Sequence, residues 1–146
     1  MQNLLWQAEN IVSDGVYYDD LGGPVAWVDA RDIADVVVEA LLGAGHAGRA
    51  YGLTGAEALT GEEIASLLSE ATGRAVTCAS LPPNQAEAHM IANGMHPNVT
   101  AAIVELALLA AKGYLAGIET TVSEVLGRPA RRFRDFVAEN RHAFVG

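Results

Sequence analysis

Three side chains of this sequence stand where proton transfer to a small molecule is chemically possible. Tyr18 precedes the turn DDLGG, where a tyrosine hydroxyl can donate a proton to a bound carbonyl or imine. His89 lies in a moderately apolar segment beside Met90, and an imidazole donates or accepts protons near neutral pH. Asp29 follows an apolar run, at the strand end where open α/β sheets bind ligands. Each has a structural alternative: packing for Tyr18 and His89, and helix capping for Asp29.

Large aromatic and apolar side chains near these positions are the candidates for contact with a ligand. Small-molecule sites are mostly apolar and aromatic, with a few polar groups that fix orientation. The candidates of this kind are Trp6, Trp27, Met90 and Tyr114. With the acid–base candidates they predict a binding site for a small apolar molecule.

Several catalytic and cofactor motifs are absent or misplaced. Residues 43–48 spell G-x-G-x-x-G, but they follow a predicted helix and lead into a predicted strand, the reverse of the order in which that motif binds a pyrophosphate. No lysine stands four residues after a tyrosine, no G-x-S-x-G supplies a nucleophilic serine, and no H-E-x-x-H supplies a zinc site. The sequence therefore predicts no metal and no cofactor bound by this chain alone.

Charge and composition exclude other classes of partner. The 146 residues carry nine Lys and Arg against eighteen Asp and Glu, a net charge of −9, which disfavours nucleic acid and anionic membranes. The most apolar stretch, residues 100–118, contains Glu105 and Lys112, so we expect a buried helix rather than a membrane span. Cys78 is the single cysteine and no secretory signal is visible, which together predict a soluble cytoplasmic protein.

Predicted helices and strands alternate along the chain and place these residues. A helix is predicted at residues 3–13, and an extended piece at 16–18. Strands are predicted at 25–28, 51–54 and 76–80. Further helices are predicted at 33–42, from Thr60 to Gly73, from Pro82 to Gly94, and at 98–117, 120–126 and 132–144. The helix at 98–117 is apolar nearly all round, which indicates a buried element or an interface.

This order predicts an α/β fold with a partial parallel sheet of about three to four strands. We expect a single domain over residues 1–146, in which residues 1–80 form the α/β part and residues 81–146 form a helical lobe.

Four segments of the sequence resemble the C-terminal half of NmrA-like proteins, which are atypical short-chain dehydrogenases/reductases. They are MQNLLWQAENI, GVYYDDLGGPVAWVDARDIADVV, GRAYGLTGAEALTGEEIASLLSEATGRAV and LGRPARRFRDFVAENRHAF. The most specific parts are VAWVDARDIA and YGLTGAEALT, because in each a strand runs into a capped helix.

The resemblance implies the last strands of a Rossmann-like sheet and the family's substrate lobe. It also implies that the glycine-rich NAD(P) loop belongs to the family's N-terminal half, which nothing here matches, so NADP or NAD would bind only if that half were supplied. An incomplete sheet leaves an unpaired edge and uncovered helix faces, so we expect a homodimer or larger, or a partner that supplies the missing half.

Three functions are compatible with these observations. The first is the substrate-binding half of an NAD(P)H-dependent reductase of small apolar or conjugated molecules, with Tyr18 or His89 as proton donor. The second is a cofactor-independent cyclase, isomerase or hydrolase that uses Asp29 or His89. The third is a non-catalytic binding or regulatory domain.

Overall fold

The computed structural model describes residues 1–145, without the side chains of residues 83 and 84. It begins with a 3-10 helix at Gln2–Gln7 and ends with another at Arg141–Ala143. The strands are β1 (Val16–Asp19) and β2 (Thr77–Ser80). The α-helices are α1 (Ala8–Asp14), α2 (Ala30–Leu42), α3 (Gly61–Thr72), α4 (Pro83–Ala92), α5 (Pro97–Ala111), α6 (Thr121–Leu126) and α7 (Phe133–Glu139).

The two strands pair in parallel. Val16 lies opposite Thr77 and Asp19 lies opposite Ser80, and α2 and α3 lie between the strands along the chain. The α/β class and the parallel pairing predicted from the sequence are therefore confirmed. The sheet of the described residues has two strands, however, rather than the predicted three to four.

The predicted strands at 25–28 and 51–54 are irregular because no neighbouring strand runs alongside them. Val25 and Leu59 form a single antiparallel bridge, with N–H···O distances of 3.0 Å in both directions. The next amide, that of Ala26, instead donates to the carbonyl of Leu115 at 2.8 Å. A strand needs successive bonds to one partner, and this segment divides its bonds between two parts of the chain.

The predicted helix at 98–117 is shorter and more exposed than expected. α5 ends at Ala111, and Gly113 follows with a φ of +79°, a left-handed conformation that ends a helix. Its buried residues are Thr100 and Ala110, so α5 is not a central buried element. α4 and α5 pack mainly against each other. No helix within residues 1–145 has the length and apolar character of a membrane span.

Helix α3 forms as predicted and lies at the centre of the core. The hydroxyl oxygen of Thr60 accepts from the Glu63 amide at 3.3 Å, and the Glu63 carboxylate accepts from the Thr60 amide at 2.8 Å, which completes the capping box. The buried face of α3 presents Ile64 and Leu68 to the aromatic side chains of α7. This contact joins the N-terminal α/β part to the C-terminal helices through one hydrophobic core.

A buried ion cluster joins α2 to the segment that precedes α7. The Asp32 side chain is 0% exposed and accepts from the Arg128 guanidinium at 2.8 Å, from the Arg131 amide at 2.8 Å, and from the Arg131 guanidinium. Asp35 binds the same two arginines from a position that is 45% exposed. The cluster fixes the loop that leads into the core helix α7.

Candidate functional site

A cavity of about 650 Å³ opens between the N-terminal helical segment, the end of β1, and the α4–α5 pair. Most of its wall is apolar, with Leu4, Val25, Met90, Ile103, Leu106 and Phe133 among the lining residues. A pocket of this size and character suits a small organic molecule.

Tyr18 and His89 meet at one side of the cavity. Their ring centroids are 4.2 Å apart and the ring planes are inclined by 40°. The Gln7 amide holds Tyr18 in place, because it donates to the Tyr18 carbonyl at 2.7 Å and accepts from the Tyr18 amide at 2.8 Å. The Nε2 atom of His89 lies 3.2 Å from the Asn93 side-chain amide nitrogen, which can only donate. Two groups that can carry a proton thus share one surface of the site.

Asp20 is a site residue that the sequence analysis did not identify. It lines the same cavity, and its Oδ1 atom is buried without a hydrogen-bond partner. Burial raises the pKa of Asp20 to about 6; the nearby His89 acts in the lowering direction and Asp19 in the raising direction. Its position after β1, two residues after Tyr18, made it a candidate, but the sequence alone does not distinguish it from Asp19.

Trp27 forms an aromatic part of the wall. Its ring meets Phe133 edge-on, at a centroid distance of 6.3 Å, and its Nε1 atom is buried without a partner. The backbone at Trp27 is closely packed, because a Cβ atom at Gly55 would lie 2.0 Å from the Trp27 carbonyl oxygen. Glycine at position 55 therefore allows its own segment to approach the backbone of Trp27 closely, and this approach keeps Trp27 against the core.

Of the other three predicted ligand-contact residues, two line the cavity and one does not. Met90 lines the cavity and is buried, and Trp6 lines it from a position that is 69% exposed. Tyr114 is not among the lining residues: its side chain is 72% exposed, and the neighbouring Leu115 contributes to the wall instead. Tyr114 thus lies outside the cavity lining, where the chain turns at Gly113 immediately after α5.

The structure places Asp29 away from the cavity. Asp29 is fully buried at the N-terminus of α2, outside the lining of the cavity, and its Oδ1 atom accepts from the Arg31 amide at 2.8 Å and from Gln2 at 2.8 Å. Burial acts to raise the pKa of Asp29, but the hydrogen bonds from Arg31 and Gln2 outweigh it and hold the pKa well below its usual range. Asp29 is therefore a helix cap, the structural alternative considered from the sequence.

The sequence was compared with known protein families. Residues 12–136 match the model of the NmrA-like family. The chain belongs to the NmrA-like family. This result confirms the resemblance found in the sequence.

Curated relatives of this NmrA-like chain include enzymes of redox chemistry. The NAD(P)H azoreductase of Xenophilus azovorans is 46% identical over 145 residues, which are 99% of this chain and 51% of that protein. The (4-alkanoyl-5-oxo-2,5-dihydrofuran-3-yl)methyl phosphate reductase of Streptomyces griseus is 42% identical over 148 residues, covering 99% of this chain and 51% of that protein. The chain spans about half the length of the curated relatives it matches.

Solved structures show the same NmrA-like fold. The NADPH-dependent quinone oxidoreductase of Escherichia coli, solved in complex with NADPH, is 26% identical with a TM-score of 0.87, over 96% of this chain and 50% of that one. The triphenylmethane reductase of Citrobacter is 18% identical with a TM-score of 0.82, over 94% of this chain and 48% of that one, and shows the fold alone.

Two features of this NmrA-like chain bear on the phosphates of a dinucleotide: residues 43–48 and the lining of the cavity. Gly43 follows the C-terminus of α2, where carbonyl oxygens rather than amide groups are unpaired, so residues 43–48 cannot form a helix N-terminal phosphate site. The cavity lining contains the carboxylates of Glu9 and Asp20, and none of its described residues is Lys or Arg. Among residues 1–145, no three His, Cys, Asp or Glu side chains group in a way that could hold a metal ion.

Proposed function

We propose that this chain is the small-molecule-binding half of an NAD(P)H-dependent NmrA-like reductase that acts on a small apolar or conjugated molecule. The observation that carries the proposal is the apolar cavity of about 650 Å³ in which Tyr18 and His89 lie side by side. The names of the relatives support a conjugated substrate. An azo compound, a quinone and an oxo-dihydrofuran each contain a conjugated group that can accept a hydride.

The acid–base groups of the cavity suit the proton that such a reaction requires. Reduction of an azo, carbonyl or quinone group adds a proton to the acceptor as well as a hydride. The rings of Tyr18 and His89 are in contact with each other, and both residues line the cavity. We assign proton donation to this pair. Asp29, enclosed by Arg31 and Gln2, takes no part in it.

We further propose that the isolated chain cannot hold NADPH or NADH, and that the dinucleotide binds when the other half of the family's fold is supplied. Three features support this: the glycine run lies at the wrong end of α2, the cavity carries carboxylates in place of basic residues, and the chain covers about half of its relatives. A pyrophosphate is held by backbone amides at a helix N-terminus or by cationic side chains.

Titration of NADPH and NADH into the purified chain tests this proposal. We expect no change in nicotinamide fluorescence up to millimolar cofactor, because nothing in the cavity compensates the phosphate charge. The Escherichia coli quinone oxidoreductase, which was solved with NADPH, is the positive control. Tight, stoichiometric binding of NADPH by this chain alone would contradict the proposal.

The exposed apolar face of α2 supports the proposal that another chain covers it. Val38, Leu41 and Leu42 are 53%, 77% and 83% exposed. We propose that the isolated chain forms a homodimer or larger assembly through this face. We also propose that the protein is cytoplasmic, because the free thiol of Cys78 suits a reducing compartment.

Light scattering measures this self-association directly. We expect the wild type to exceed the mass of one chain at micromolar concentration, and a variant with both Leu41→Glu and Leu42→Glu to be monomeric. Arg49→Glu, a substitution of an exposed residue that is already polar, serves as the control. A well-folded wild-type monomer across the micromolar range would refute the assembly.

A further inference from the structure

The end of α4 brings Asn93 beside His89, one helical turn away. The backbone amide of Asn93 donates to the His89 carbonyl at 3.1 Å, and the side-chain nitrogen of Asn93 donates to the same carbonyl at 2.9 Å. The helix then stops at Gly94, which has a left-handed φ of +85° and donates its amide to the Ile91 carbonyl at 3.0 Å. The geometry of the helix end therefore fixes the place of the Asn93 side chain.

The contact with the His89 carbonyl decides which atom of the Asn93 amide is the nitrogen. A backbone carbonyl can only accept, so the atom that binds it is the nitrogen, which has two N–H donors. The same nitrogen lies 3.2 Å from the Nε2 atom of His89, within reach of its second N–H group. Asn140 makes the same contact with the carbonyl of Phe136 at the end of α7, at 2.8 Å, but no histidine lies beside it there.

The bond from Asn93 fixes where the neutral His89 ring carries its proton. In a neutral imidazole one nitrogen donates and the other accepts, and the bond made by one nitrogen determines the state of the other. Because Nε2 of His89 accepts from Asn93, the proton of the neutral ring lies on Nδ1. His96 shows the opposite case: its Nδ1 atom accepts from the Asn98 amide at 3.2 Å, so its proton lies on Nε2.

His89 and Asn93 both line the cavity, next to the other group that can carry a proton. The ring of Tyr18 lies against that of His89 at a centroid distance of 4.2 Å, and the charge of Asp20 is close enough to interact with His89. Gln7 binds both backbone groups of Tyr18, as Asn93 binds the ring and the carbonyl of His89. Each member of the Tyr18–His89 pair is thus oriented by an amide side chain.

We propose that Asn93 is a positioning residue of this cavity. It holds the His89 ring through Nε2, so that the neutral ring offers Nδ1–H as a hydrogen-bond donor to the bound molecule. The atom that receives this bond is the acceptor of a conjugated group, such as an azo nitrogen or a carbonyl oxygen. The inference rests on the proposed function in one respect, namely that the small molecule binds in this cavity beside His89.

Long-range ¹H–¹⁵N NMR spectra of the histidine rings test the position of the proton directly, at about pH 8.5, where an ordinary histidine is neutral. We expect His89 to carry its proton on Nδ1 and His96, in the same spectrum, to carry it on Nε2. The variants His89→Gln and His96→Gln identify the two sets of signals. In Asn93→Ala, the ratio of the Nδ1–H to the Nε2–H form of His89 should fall about three- to fivefold, because one ordinary, solvent-exposed hydrogen bond is lost.

Asn140→Ala is the matched control. It removes the same contact between an asparagine side chain and the carbonyl four residues earlier, but at the end of α7 and outside the lining of the cavity. The position of the His89 proton should not change in this variant. A change as large as that in Asn93→Ala would show that the ring responds to a general loosening of the fold, and would overturn the role of Asn93.

The azo dye para-aminoazobenzene relates the His89 ring to ligand binding. Its azo group accepts hydrogen bonds, so we expect the bound dye to shift the Nδ1 resonance of His89 in the wild type. Equilibrium dialysis followed by dye absorbance should show that Asn93→Ala binds the dye about three- to fivefold more weakly than the wild type, whereas Asn140→Ala binds it equally well.

The possible outcomes distinguish this inference from the function on which it rests. A wild-type His89 with its proton on Nε2, an observation that needs no variant, would overturn the role of Asn93 but leave the cavity as a binding site. Dye that binds without moving the His89 signals would do the same. Failure of the dye to bind would overturn the inference and the proposed function together.

Discussion

Replacing Asp32 with asparagine is expected to lower the free energy of unfolding by about 1–3 kcal/mol, the cost of disrupting a buried group's hydrogen bonds to charged partners. The Asp32 side chain is 0% exposed and accepts from Arg128 and from both the backbone and the side chain of Arg131. Asparagine removes the charge, so that Arg128 and Arg131, which are 35% and 31% exposed, keep only Asp35 as counter-ion. Urea denaturation monitored by circular dichroism measures the loss.

Asp35→Asn is the control for this prediction. Asp35 lies one helical turn further along α2 and binds the same two arginines, but it is 45% exposed, so solvent screens its charge. We expect a much smaller loss of stability than for Asp32→Asn. Losses of equal size in the two variants would mean that burial of Asp32 does not determine the strength of the cluster.

Replacing Phe133 with alanine is expected to cost about 3–5 kcal/mol of stability, as for other buried phenylalanines, and also to weaken ligand binding. Phe133 is 1% exposed, lies in the core cluster, and also lines the cavity, where it supports Trp27. Its removal enlarges the cavity and takes away the ring against which Trp27 rests. Urea denaturation and para-aminoazobenzene dialysis of the same variant measure the two effects.

Phe136→Ala separates the two effects. Phe136 is 2% exposed, packs against Phe133 at a centroid distance of 6.3 Å, and is not among the residues that line the cavity. The loss of stability should be similar, while the affinity of the folded protein for the dye should change little. If both variants lost dye affinity to the same extent, the cavity would not be the binding site for this dye.

Features set by neighbouring residues could be predicted from the sequence. The capping box of Thr60 and Glu63, the glycine at the end of α3, and the cap formed by Asp29 all depend on side chains within a few positions of the backbone they bind. Tyr18 and His89, the proton-donor candidates of the sequence, both line the cavity, and their catalytic role stays a prediction.

Features set by distant partners could not be predicted in this way. Residues 25–28 have the composition of a strand, but whether they become one depends on what lies beside them, and here the amides reach Leu59 and Leu115. Asp20 was missed for a similar reason. Two aspartates follow Tyr18, and only the folded turn reveals that Asp19 is bonded while Asp20 has a free oxygen atom.

The mutual packing of α4 and α5 has a consequence for the range of ligands. These helices carry His89, Met90 and Leu106, whereas Tyr18 and Trp27 belong to segments attached to the hydrophobic core. A helical hairpin held mainly by its own contacts can shift as a unit at lower cost than a core element. We therefore expect the side of the cavity formed by α4 and α5 to shift more readily than the side attached to the core, and so to adapt to molecules of different length.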